Sequence, residues 1–132
     1  MTPLRILVLC TGNSARSQLA EAIFRAEGGD RVRVESAGSL PKASVHPLAI
    51  EVGRDLFGLD LTAHRPKPVS QFTKDRFDVV VTVCDRAAES CPVFPGAPER
   101  VHWSLPDPVD RQTFEEVARE LRPRVREFLA SR

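Results

Sequence analysis

At 132 residues the chain can bury one core without disulfide or metal staples, so residues 1–132 are read as a single domain, expected to be a monomer. Hydrophobic residues at 42% and charged residues at 28% fit a folded globular protein. The net charge of +1 offers no overall field to gather nucleic acid or an anionic membrane, so any anion site must be local.

In chain order, Leu4-Arg5-Ile6-Leu7-Val8-Leu9 is a nearly continuous apolar run ending in a loop signal, as suits a central parallel strand buried on both faces. Its apolar stretch is too short for a signal segment, and no later stretch approaches the ~20 apolar residues of a membrane span, which predicts a cytoplasmic protein with reduced thiols. From Ser17, the residues Leu19, Ala20, Ile23 and Phe24 recur at helical spacing until Gly28-Gly29. Residues 31–36 alternate with period two, as a strand near a sheet edge does. Pro47 opens a second helix with Leu48, Ile50, Val52 and Leu56 on its apolar face, ending at Gly58. Arg65-Pro66-Lys67-Pro68 breaks any regular element.

Residues 78–83 form the second buried strand, rich in β-branched side chains. A short helix follows Cys84 until Pro92, then a loop over 92–98, a short strand over 101–103 and a loop over 105–108. The last stretch carries Phe114, Val117, Ala118, Leu121, Val125, Phe128 and Leu129 on one helical face, with Pro123 predicting a kink or break. Alternating strands and helices predict an α/β domain with a four-stranded parallel sheet, helices on both faces and right-handed crossovers. Ligands in such folds sit beyond the carboxyl ends of the strands. Cys10, Cys84 and the 105–110 loop each follow a strand and should gather at one rim.

The loop "CTGNSAR" at Cys10–Arg16 joins the first strand to the first helix through small residues. The amides of Thr11, Gly12, Asn13, Ser14, Ala15 and Arg16 can then turn inward as a nest for a tetrahedral oxyanion, favoured by the helix N-terminus. That field and Arg16 should lower the Cys10 pKa, and Arg16 can fork two anion oxygens. The plain alternative makes Cys10 a buried strand-end cysteine and Arg16 a solvated helix residue. Three cysteines, an odd number, are poor material for a static disulfide framework and better suited to reagents.

The segment "CTGNSARSQLAEA" at Cys10–Ala22 resembles the signature of low-molecular-weight tyrosine phosphatases and thioredoxin-coupled arsenate reductases, which share one fold. "VVVTVCDRAAESCPVFPG" at Val79–Gly96 sets Cys84 and Cys91 seven apart, as in the reductases. "HWSLPDPVD" at His102–Asp110 resembles their approach to a general-acid aspartate, and the tyrosines typical of the phosphatases are absent. Two positions depart from the pattern. Ala15 stands where relatives often carry a second cysteine. Asn13, Glu21 and Ser36 match a potassium site of some reductases, but Lys67 lies about where an aspartate would complete it, so no metal site is assigned.

The resemblance implies that Cys10 attacks arsenate, Asp107 donates a proton to the leaving oxygen, and Arg16 with the loop amides steadies the equatorial oxygens. It further implies a Cys10–Cys84 disulfide, then a Cys84–Cys91 disulfide that thioredoxin reduces, with no bound cofactor. Ser17 is expected to donate a hydrogen bond to the Cys10 thiolate, and phosphate and sulfate are expected competitors for the site. On an intact helix Cys84 and Cys91 would be about 10 Å apart at Cα, beyond disulfide reach, so that segment must unwind. Three alternatives stand beside this reading: a phosphatase acting through a Cys10 phosphoenzyme, a non-catalytic oxyanion or redox sensor, and a zinc site built from Cys84, Cys91 and His102. His64 is either a bridge to the Asn13–Glu21–Ser36 network or a surface residue, and His46 and His102 are read as structural.

Overall fold

The computed structural model describes residues 2–132. Four parallel strands, β1 (Leu4–Cys10), β2 (Val32–Gly38), β3 (Val79–Thr82) and β4 (Glu99–His102), form a sheet in the order β2-β1-β3-β4. The most apolar strand, β1, has a neighbour on each side, and β2, which alternates Val32, Arg33, Val34 and Glu35, lies at an edge. The register pairs Cys10 with Gly38, Leu9 with Thr82, and Thr82 with His102. Those residues therefore end at one rim of the sheet.

Helices α1 (Arg16–Gly28), α2 (Pro47–Phe57) and α4 (Arg111–Ala130) pack on one another, and α1 also packs on β1 and β2. Their shared core holds Phe24 stacked on Trp103 at 5.9 Å, with Phe128 edge-on to both. The other side of the sheet is covered by α3 (Asp85–Glu89), the 3-10 turn Val69–Phe72 and their loops. There Arg5 lies 5.2 Å over the Phe77 ring, and Phe77 meets Phe72 and Phe94 edge-on. Arg126 and Arg122 pair with Glu27, and Arg124 with Glu120, as a solvated helix face does. Among the described residues, no helix is long and apolar enough to cross a membrane.

Two expectations change. Pro123 does not break α4, which runs unbroken from a capping box at Asp110 and Thr113. Burial of its whole apolar stripe, Phe114 through Leu129, outweighs the ~3 kcal/mol that an interior proline costs. The helix after Cys84 is only five residues long and stops short of Cys91. Its sole buried side chain is Ala87, so packing offers little to extend it.

Candidate active site

The turn from β1 into α1 is shaped by its carbonyls. Leu40 N–H donates to Thr11 O at 3.0 Å, Lys42 N–H to Gly12 O at 2.9 Å, and His46 N–H to Ser14 O at 2.8 Å. These bonds tie three carbonyls of the loop to the 40–46 segment and fix its backbone. Asn13 takes a left-handed φ of 49°, and its side chain is bonded throughout. Nδ2 donates to Ser17 Oγ (2.7 Å) and Ser36 Oγ (2.9 Å), and Oδ1 accepts from Lys67 N–H (2.8 Å). These bonds hold a conformation that an asparagine tolerates better than most residues.

The loop closes against Gly38, the last residue of β2. A Cβ there would lie 2.4 Å from Thr11 O and 3.1 Å from Asn13 N. Only glycine lets the two backbones approach so closely.

Cys10, Thr11, Gly12, Ser14, Ala15 and Arg16 line a cavity of about 590 Å³, completed by Leu40, Lys42, Cys84, Asp85, Arg86 and Asp107. Arg16 Nη1 donates to Leu105 O at 3.0 Å and its Nη2 stands 3.6 Å from Asp107 Oδ1, so the 105–107 loop fixes the guanidinium over the mouth. Asp107 is largely solvent-exposed at the rim. Asn13 sits behind the cavity wall, fully buried. Leu40, Lys42, Asp85 and Arg86 were not legible as site residues: Lys42 reaches the cavity only because its backbone is pinned to Gly12.

Cys10 and Cys84 are both free, buried thiols that line the same cavity. Cys84 caps α3: Ala87 N–H donates to its sulfur at 3.4 Å, and Thr11 Oγ1 lies 3.4 Å away. Two thiols lining one cavity interact, so their ionisations are not independent. The Cys84 pKa is pushed down to about 4 by the Cys10 S–H, Thr11, the Ala87 amide and Arg16. Cys10 is raised, because it donates to Cys84 and is buried, although Arg16 and the Asn13 amide oppose this. This corrects the expectation of a lowered Cys10: the loop field is present, but a second thiol collects the charge.

Ser17 is also placed differently from expectation. Its hydroxyl accepts from Asn13 Nδ2 at 2.7 Å. Cys91 does not line the main cavity. It lies past the end of α3, beside a narrow gap shared with Leu9, Cys10, Val69 and Ala87.

Behind the loop, Ser36 Oγ donates to Glu21 Oε1 at 2.6 Å. Buried Glu21 also meets Arg25 at 2.6 Å, His64 at 3.4 Å and Lys67 at 3.5 Å. His64 thus joins the network, bonded to Gln18 Oε1 at 3.0 Å, and burial lowers its pKa. With four cationic or donor side chains already around the carboxylate, the donor set does not fit a potassium ion.

A four-stranded parallel α/β sheet whose first strand runs into a Cys-x5-Arg loop and a helix, with the cysteine and arginine lining one cavity, defines the class of fold. The chain belongs to the low molecular weight phosphotyrosine protein phosphatase family, whose profile matches residues 5–131. It is 36% identical to an arsenate reductase of Halalkalibacterium halodurans over 96% of this chain and 90% of the relative. Among solved structures, a Corynebacterium glutamicum thioredoxin-dependent arsenate reductase superposes with a TM-score of 0.80 at 33% identity. That alignment covers 98% of this chain, which spans 62% of the longer structure. An arsenate reductase from Archaeoglobus fulgidus matches with a TM-score of 0.80 at 31% identity, covering 95% of this chain and 98% of the other.

Proposed function

We propose that this chain reduces arsenate to arsenite through Cys10, Cys84 and Cys91 and is regenerated by thioredoxin, in arsenic detoxification in the cytoplasm. The observation that carries the reading is that two free thiols, Cys10 and Cys84, line one cavity together with Arg16 and Asp107. A phosphatase needs one sulfur there; a reductase needs two within bonding reach.

On attack at arsenic, the Cys10 proton passes to Cys84, leaving Cys10 as thiolate, while Arg16 and the loop amides hold the oxygens and Asp107 protonates the departing one. Cys84 releases that proton to solvent at the cavity mouth and, as thiolate, attacks the Cys10 sulfur. The S–S bond forms, the S–As bond breaks with its electron pair on arsenic, and As(V) leaves as As(III). Cys91 next displaces Cys10 from Cys84, which releases Cys10 as thiolate and moves the disulfide outward for exchange with thioredoxin. The weak packing of α3 favours this last step, since the segment must open to bring Cys91 to Cys84. No resident cofactor enters the scheme.

A second reading, phosphate-ester hydrolysis through a Cys10 phosphoenzyme, is favoured by the same nest, because phosphate matches arsenate in shape and charge. A coupled assay separates the two. Cys84→Ser should lose arsenate turnover with thioredoxin while sparing any aryl phosphate hydrolysis. Arsenate reduction by Cys84→Ser at the parental rate would refute the relay.

A further inference from the structure

His102 lies outside the cavity, yet its ring bridges the two sides of Cys84. Thr82 Oγ1 lies 2.7 Å from His102 Nδ1, and His102 Nε2 lies 2.9 Å from Asp85 Oδ1. A neutral ring with its proton on Nε2 satisfies both bonds, accepting from Thr82 and donating to Asp85. Thr82 is buried at the end of β3 and Asp85 is the first residue of α3, so one side chain spans the turn that contains Val83 and Cys84.

We propose that His102 is a positioning residue for Cys84: by bonding the residue two before it and the residue one after it, the imidazole fixes the turn that aims the Cys84 sulfur at Cys10.

Thr11 Oγ1 and the Ala87 amide meet the Cys84 sulfur itself, but neither contact spans the turn. The sheet ladder ends at the start of the turn, where Trp103 N–H donates to Thr82 O and Val83 N–H to Leu9 O. Beyond it, α3 has one buried side chain and five residues, too few to orient themselves. What ties its first residue down is the Asp85 carboxylate, whose Oδ1 accepts from His102 and from Ser104 Oγ at 2.9 Å. Asp85 is exposed, so each of these bonds is weak alone. Their value is angular: the parallel register sets His102 beside Thr82, and the ring carries that position across to α3.

The inference rests on the relay reading, in which Cys84 attacks the Cys10 sulfur of the arsenylated enzyme. An attack line displaced by about 1 Å can slow such a step by up to about a hundredfold.

The test uses the full chain in a Cys91→Ser background, where the Cys10–Cys84 disulfide is the end point of one arsenate turnover. Quenched samples are read by mass spectrometry. His102→Ala should form that disulfide about tenfold more slowly, with Thr82→Val shifted in the same direction, while calorimetric affinity for inorganic phosphate stays within about twofold. In the reduced protein without arsenate, amide hydrogen exchange over residues 85–88 should rise about tenfold, with β1 unchanged. Thr82→Val keeps side-chain shape and carries the test if His102→Ala fails to fold. Parental disulfide rate and parental exchange in either folded variant would overturn the proposal. If the background protein itself forms no Cys10–Cys84 disulfide, the relay reading fails instead, and the exchange result alone decides the role of His102.

Discussion

Replacing Gly38 with alanine would set a methyl group 2.4 Å from the Thr11 carbonyl oxygen and 3.1 Å from the Asn13 nitrogen and Cβ. Relief requires a movement of about 1 Å, and both neighbours are tightly held. Thr11 O is bonded to Leu40 N–H, and Asn13 is anchored at both ends of its side chain. Overpacking of this kind costs about 2 kcal/mol, or a Tm lower by about 6–10 °C for a domain of this size. The larger effect falls on the nest, because its amides must converge on one anion and the displaced segment carries them. Affinity for inorganic phosphate should fall at least about tenfold, equivalent to 1.4 kcal/mol or more. Thermal unfolding and calorimetric phosphate titration measure the two effects separately. Parental phosphate affinity together with a Tm shift below about 1 °C would refute the close-approach argument.

Three further outcomes follow from the charge arrangement. Titrating thiolate ultraviolet absorbance of the reduced protein should show one thiolate persisting to about pH 4; in Cys84→Ser the main cause raising Cys10 is gone, so Cys10 becomes the low-titrating thiol. A titration in which neither sulfur ionises below pH 8 would contradict the lowered Cys84. Because the folded-state pKa of Cys84 lies below that of the unfolded chain, its ionisation adds stability that is complete above the unfolded value and lost as pH falls through about 4. The Tm difference between the parent and a Cys10→Ser, Cys84→Ser double variant should therefore grow from pH 4 towards pH 8; a flat difference would count against the assignment. Glu21→Ala strips the anion from Arg25, His64 and Lys67 and should cost about 3 kcal/mol by urea denaturation, whereas exchanging potassium for sodium chloride leaves the parental midpoint unchanged. A midpoint that rises only with potassium would show that the ion competes with Lys67.

Much of this site was legible from residue types at one junction. A buried strand feeding a run of small residues and an arginine points to a nest, although a plain strand-end cysteine fits the same residues, and the 78–83 run places Cys84 beside it by sheet topology. Less legible was where the charge would rest. That depends on Thr11 and the Ala87 amide meeting the Cys84 sulfur, contacts between segments 73 residues and three residues apart that no local pattern announces. The length of α3 was overestimated because Pro92 marks only the latest point at which the helix could end, and lack of burial ended it sooner. Gly38 carries no signal in sequence: it looks like any strand-end glycine until Thr11 is placed against it. His102 reads as an ordinary histidine until the register sets it beside Thr82. Pro123 misled in the opposite direction, since a local penalty was outweighed by a long buried stripe.

The most direct test of the central claim is the disulfide map after a single arsenate turnover without thioredoxin, read by peptide mass spectrometry with free thiols alkylated at the quench. The account predicts stoichiometric arsenite with a Cys84–Cys91 disulfide in the parent and a Cys10–Cys84 disulfide in Cys91→Ser. Stoichiometric arsenite alongside three alkylated cysteines in the parent would contradict it.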